Sequence, residues 1–180
     1  DCVKLAITVL LDEPPKLVVS GINLGGNLGI CALYSGTVSA ATEAMVMGVP
    51  SIAVSLDTYE NPDFIPAAKF ARKFIPQLLK KGLPDGVVLN INVPPVPESE
   101  FAGVAITRQG KSRVIEEFDC RKDPRGRTYY WLAGEMLFEE TEEGADCVMI
   151  AKKYISVAPI HFDLTHYPSL DKLKDWKIEL

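Results

Sequence analysis

Between Val19 and Ser39 the chain reads V-S-G-I-N-L-G-G-N-L-G-I-C-A-L-Y-S-G-T-V-S, and its best candidates for chemistry fall in this stretch. A short apolar run, Leu17-Val18-Val19, leads into a loop with glycines at 21, 25, 26 and 29, and the loop turns into a helix through Ser35-Gly36-Thr37. A helix N-terminus presents unpaired N–H groups and a partial positive charge, which suits an anion. Gly36 lets a phosphate approach the backbone, and the Ser35 and Thr37 hydroxyls can donate to its oxygens. A capping box would need Glu or Gln at Val38, so no side-chain carboxylate claims these N–H groups. A plainer role fits the same residues: Ser35 caps the helix and the glycines allow a tight turn. Spacing alone leaves both open. It does exclude two phosphate motifs, because no Lys precedes Thr37 and the glycines do not fall as G-x-G-x-x-G.

Asn23 is the second candidate. An amide oxygen just past a strand end can help complete the shell of a hard divalent cation beside carboxylates and water. Asn also holds turns, and the residue type alone does not decide. His161 and His166, with Asp163 between them, allow a Ser-His-Asp arrangement to be imagined. Arg108 is expected to pair with a carboxylate, Tyr129-Tyr130-Trp131 to be a strand's packing or subunit face, and Glu139 to Glu143 a solvated face.

The elements that must position these residues follow from periodicity. Val3, Ala6, Ile7 and Leu10 predict a well-buried helix stopped by Pro14-Pro15, and Leu17-Val18-Val19 a strand covered on both faces. Gly36 to Met47 predicts a helix, Ser51 to Ser55 a strand, Phe64 to Leu79 an amphipathic helix bent at Pro76, and Val87 to Val93 another strand. This alternation is the signature of an α/β sheet with crossover helices, and ligands of such sheets bind at the carboxyl ends of the strands. After Pro97 the pattern changes. Segments 103–107, 129–133, 147–151 and 154–157 predict short strands in antiparallel hairpins, with a turn at Asp123 to Gly126 and a terminal helix from Leu170 to Ile178. The expected division is a core over 1–97 that carries the loop and a hairpin-rich part over 98–180.

With 180 residues, 47% hydrophobic and 24% charged, the chain suits one globular domain with a substantial core. A net charge of −5 and no uninterrupted basic patch argue against a nucleic-acid polymer as partner. No apolar run is long enough for a membrane span. Cys2, Cys31, Cys120 and Cys147 show no C-x-x-C spacing and are expected as buried or half-buried thiols, which points to a cytoplasmic setting. The start at Asp1, without Met, reads as a fragment or processed chain.

Ser20-Gly21-Ile22-Asn23, Asn27-Leu28-Gly29 and Tyr34-Ser35-Gly36-Thr37-Val38-Ser39-Ala40-Ala41 resemble, in order and spacing, the signature of the survival protein E (SurE) family. The similarity continues through Gly48-Val49-Pro50-Ser51-Ile52-Ala53, Asn90 to Pro94, Thr107 to Gly110, Ser156 to His161 and Asp163-Leu164-Thr165. Two departures are local: the family often has acidic residues where Ile30 and Cys31 stand, and usually Gly where Ala44 stands.

The resemblance implies a Rossmann-like three-layer fold and a metal-dependent hydrolase of nucleoside 5′-monophosphates, with some breadth toward 3′-nucleotides and short polyphosphate. It places Asn23 at the family's Asn metal ligand, for Mg²⁺ or Mn²⁺. Ser35, Gly36 and Thr37 fall at its phosphate-binding turn, with Ser20 and Gly21 lining the same pocket. The family's remaining metal ligands, an Asp-Asp pair and a Ser, would lie upstream of Asp1. Without them the resemblance leaves open whether this chain is active alone, and the alternative reading is a non-catalytic nucleotide- or anion-binding domain. The resemblance further implies a homodimer or homotetramer formed through the C-terminal part.

Overall fold

The computed structural model describes residues 1–137, 141–176 and 178. Helix α1 (Cys2–Leu5) passes into a π-helical turn over Ala6–Leu10, and β1 (Val18–Leu24) follows. A 3-10 segment, Gly29–Tyr34, leads into α2 (Gly36–Val46), and β2 (Ser51–Leu56), α3 (Ile65–Lys81) and β3 (Val88–Val93) complete the first half. The second half supplies β4 (Gly103–Ile106), β5 (Arg113–Lys122), β6 (Thr128–Leu137), α4 (Asp146–Ala151), β7 (Tyr154–Ile160) and α5 (Tyr167–Lys174). The main sheet has the order β1-β2-β3-β7-β4. β1, β2 and β3 are parallel, β7 is antiparallel to β3, and β4 is parallel to β7. The expected α/β architecture is what forms.

β2 is buried along its whole length and alternates its side chains between two layers. Ile52 and Val54 pack with Ala67 and Leu78 of α3 and with Ile91, Val93, Ile155 and Val157. Ala53 packs on the other face with Val38, Ala41 and Met45 of α2 and with Val88. Burying side chains such as Ile52 and Ile91 contributes roughly 1.5–3 kcal/mol each, so these two layers fix the register on which the site depends. The α2 face also buries polar groups. Ser51 Oγ donates to the Ala41 carbonyl at 2.6 Å, and the Thr107 and Ser156 hydroxyls bond at 2.8 Å.

Several expectations are corrected. β1 runs on to Leu24, where loop was expected from Gly21 onward, and it lies at the sheet edge with Val19 and Leu24 exposed. Its register shifts between Ser20 and Asn23, and Gly21 makes that possible: its φ is +118°, and a Cβ there would stand 2.2 Å from the Val54 carbonyl oxygen. The first segment is helical, but Leu5, Val9, Leu10 and Leu11 are exposed rather than buried, since periodicity reports helix and not what covers it.

Residues 147–151 form α4 instead of a strand: the Met149 N–H donates to the Ala145 carbonyl at 3.0 Å, and the Asp146 carboxylate at the first turn accepts the distant Gly29 and Gly110 N–H groups. Among the described residues of the second half only β5 and β6 make a hairpin; β4 and β7 join the main sheet, where Ile155 and Val157 complete its core. The hairpin turn is the expected one, with Gly126 N–H donating to Asp123 O at 2.9 Å. α3 continues through Pro76, and α5 ends at Lys174.

Candidate functional site

Helix α2 crosses the sheet face of Ser51, Ala53 and Ser55 and runs from the carboxyl ends of the strands back toward their starts. Its first turn therefore sits at the sheet's carboxyl edge. Ser35 is the N-cap: its Oγ is buried and accepts the Val38 N–H at 3.1 Å, while its carbonyl accepts the Ser39 N–H at 2.9 Å. One of the helix's unpaired N–H groups is thus taken by Ser35 itself. The Gly36 and Thr37 amides ahead of it meet no acceptor among the described residues. Gly36 is exposed, and nothing lies within 4 Å of where its Cβ would be. This turn can accept an anion at two backbone donors, with the Ser35 hydroxyl proton and the half-buried Thr37 beside them.

Asn23 pairs in register with Ser55, so its side chain lies on the α2 side of the sheet, near the carboxyl end of β1. Its Nδ2 donates to the carbonyls of Leu24 at 3.1 Å and Gly25 at 2.8 Å. Both turn-holding and cation-binding roles are compatible with this geometry: the amide nitrogen ties the turn, and Oδ1 has no donor among the described residues. That oxygen fits a hard divalent cation. No group of three or more His, Cys, Asp or Glu comes together to hold an ion among the described residues. Ser20 is half-buried on the same face, in register with Ala53, and Gly21 is exposed at the bulge.

The loop joining these parts is held from below. Asn27 is buried, its N–H donating to Asn92 Oδ1 at 2.8 Å and its Nδ2 to Ser55 Oγ at 2.7 Å. The Asn27 carbonyl accepts Asn90 Nδ2 at 2.8 Å. Two residues on, Gly29 donates to Asp146 Oδ2 at 2.9 Å and its carbonyl accepts Gln109 Nε2 at 2.8 Å. Sequence reasoning missed these supports, although buried asparagines alternating along β3, at Asn90 and Asn92, were the available signal.

It also missed Asp57, just past the carboxyl end of β2. Its Oδ1 would stand 2.2 Å from a Cβ on Gly26, and the Tyr59 ring would stand 2.5 Å from one on Gly25, so the loop after β2 packs directly on these two glycines. Burial pushes the Asp57 carboxyl above its ordinary range.

The remaining candidates do not build a second site. His161 Nδ1 accepts the Asp163 N–H at 3.2 Å, and His166 bonds Ser169 at 2.6 Å. The Asp163 carboxylate accepts the Thr165 N–H at 2.9 Å and the Tyr167 hydroxyl, which hold it down at about 2, and these bonds serve the local turn. Arg108 pairs with Glu142 at 2.5 Å, and Glu143 with Lys152 at 2.8 Å; Glu139 and Glu140 lie outside the described residues. Tyr129, Tyr130 and Trp131 are exposed on the hairpin, where the Arg121 guanidinium lies 5.4 Å from the Trp131 ring centre. No disulfide forms among the described residues; Cys147 is buried and Cys31 half-buried as expected, but Cys2 and Cys120 are exposed. Burial, with Asp146 nearby, raises the Cys31 thiol above its ordinary range, which disfavours it as a nucleophile. No helix among the described residues is long and apolar enough to cross a membrane.

Comparison with known proteins gives consistent relatives. The family profile described as survival protein SurE matches residues 1–116. A 5′-nucleotidase SurE of Syntrophobacter fumaroxidans is 48% identical over 178 residues, covering 99% of this chain and 71% of that protein. A 5′-nucleotidase SurE of a Nostoc species is 51% identical, covering 100% and 71%. The crystal structure of the SurE protein from Aquifex aeolicus superposes with a TM-score of 0.82 at 41% identity, over 97% of this chain and 71% of that one.

Proposed function

The chain belongs to the SurE family and is a 5′-nucleotidase, and from that premise we propose that it hydrolyses nucleoside 5′-monophosphates with the phosphoryl group seated on the Ser35–Thr37 turn and a divalent cation beside it at Asn23. The observation that carries this reading is the pair of open amides at Gly36 and Thr37, at the same carboxyl edge as an Asn23 side chain whose nitrogen, not its oxygen, is tied down. Two backbone N–H groups and the Ser35 and Thr37 hydroxyls bind the phosphate oxygens and fix the phosphorus for in-line attack, so this chain's share of catalysis is positioning and electrostatics. A divalent ion such as Mg²⁺ or Mn²⁺, when bound, supplies a water of lowered pKa and offsets phosphoryl charge. Ser20 and Gly21 line the pocket from β1. The family resemblance extends the proposed substrates to 3′-nucleotides and short polyphosphate.

A second reading, a nucleotide-binding domain without turnover, draws on the absence of a three-ligand metal cluster among the described residues. Phosphate release from a nucleoside 5′-monophosphate separates the two. The enzymatic reading requires release with Mg²⁺ or Mn²⁺, loss with chelator, and a raised metal requirement in Asn23→Ala. Nucleotide binding with no release under any metal overturns it.

The setting proposed is cytoplasmic, and the assembly a homodimer or homotetramer built through residues 98–180. Exposed Phe118, Tyr130, Trp131 and Leu132 on the β5–β6 hairpin support an assembly surface there. Light scattering of the full-length chain tests it, and a monomer would contradict it.

A further inference from the structure

Asp146 lies far along the sequence from the phosphate turn, yet its side chain is fully buried and both oxygens are engaged. Oδ1 accepts the N–H groups of Gly110 at 2.9 Å and Cys147 at 2.8 Å, and Oδ2 accepts that of Gly29 at 2.9 Å. A Cβ on Gly110 would stand 2.8 Å from Oδ1, so the glycine makes room for this approach. The Gly29 peptide is gripped on its other side as well, by Gln109 Nε2 on its carbonyl at 2.8 Å, and the next amide, Ile30, donates to Ser112 O at 3.0 Å. Gly29 begins the 3-10 segment that ends at Tyr34, directly before Ser35. A single 3-10 segment separates Gly29 from Ser35, so the pinning of Gly29 constrains where the turn sits relative to Asn23.

We propose that Asp146 is a positioning residue: through the Gly29 N–H it locks the loop between β1 and α2, so that the second half of the chain sets the geometry of the phosphate turn. The proposal rests on the nucleotidase reading for its functional consequence and on the hydrogen bonds alone for the lock. Asp146→Asn separates the two halves of the clamp. An Asn oxygen that keeps the Gly110 and Cys147 bonds turns its NH₂ toward the Gly29 N–H, donor against donor, and frees the loop while leaving the volume unchanged.

The test compares full-length wild type, Asp146→Asn and Gln109→Ala by hydrogen exchange, by inorganic phosphate affinity, and by kcat and KM on a nucleoside 5′-monophosphate. In Asp146→Asn, amides of Gly29 to Tyr34 are expected to exchange about tenfold faster with α3 unchanged, and phosphate affinity to fall about tenfold with a matching rise in KM. Gln109→Ala is expected to move the same quantities less. A merely structural role lowers the melting temperature but leaves KM and phosphate affinity of the folded protein as in wild type, and that result overturns the proposal. If Asp146→Asn does not fold, Gln109→Ala decides by the same readouts, its failure to move them being the overturning result. A wild-type protein that neither binds phosphate nor releases it defeats the nucleotidase reading instead, and the exchange rates then decide the lock alone.

Discussion

Replacing Gly36 by Ala separates what the turn does for the protein from what it does for a ligand. Nothing lies within 4 Å of the position its Cβ would take, and the residue begins a helix, so the methyl group meets no protein atom. Alanine is favoured over glycine inside helices by up to about 1 kcal/mol, and a first-turn position realises roughly half of that. For a domain of this size that corresponds to a rise of about 1–2 °C in melting temperature. The ligand feels the opposite effect. A phosphate oxygen accepting a backbone N–H sits about 2.9 Å from the nitrogen, in space the methyl group would crowd. Losing preorganised backbone donors of this kind costs about 10²–10³ in rate. Gly36→Ala is therefore expected to lower kcat/KM about a hundredfold, measured by phosphate release with Mg²⁺, while a circular dichroism melt stays level or rises slightly. A variant with the expected melt and more than about a third of wild-type kcat/KM would refute the placement of phosphate on this turn.

Other outcomes follow from the same geometry. Burial makes Asp57 hold its proton to higher pH in the folded chain than in the unfolded one, so its burial destabilises the fold as pH rises through the raised pKa and costs nothing below the unfolded value. Asp57→Asn should raise the melting temperature at neutral pH, with the gain vanishing below the ordinary aspartate range; a constant gain at all pH values would contradict this. Asn27→Ala removes the 2.7 Å bond to Ser55 and leaves that buried hydroxyl without its donor, a loss of about 2 kcal/mol, or roughly 4–8 °C by calorimetry. Replacing both His161 and His166 by Ala should leave kcat/KM within about twofold, since both are exposed and engaged only in local bonds. A loss of a hundredfold would instead implicate a histidine in proton transfer.

The core strands and the helix start at Ser35 were legible because each has a strong local cause. The buried run at Ser51 to Leu56 and the amphipathic face from Ile65 onward follow directly from periodicity, and Ser35-Gly36-Thr37 announces a helix start whatever surrounds it. What failed depended on distant partners. Residues 147–151 have strand-like composition but turn helical where Asp146 binds Gly29 and Gly110, contacts far away in sequence. β4 and β7 read as hairpin strands because a parallel pairing across β5, β6 and α4 leaves no local signature. Asp57 went unnoticed for the same reason: only the packing of its carboxyl against Gly26 marks it. The β1 extension hid behind Gly21, which reads as loop in sequence and serves as a bulge in the sheet.

The most direct test of where the phosphoryl group binds is a backbone amide NMR titration of the full-length protein with inorganic phosphate. The amides of Gly36 and Thr37 should move first and furthest, with Val38, already bonded to Ser35, shifting less. Saturable shifts centred elsewhere, on the basic turn at Arg121 to Arg127 for example, with Gly36 and Thr37 unmoved, would contradict the account.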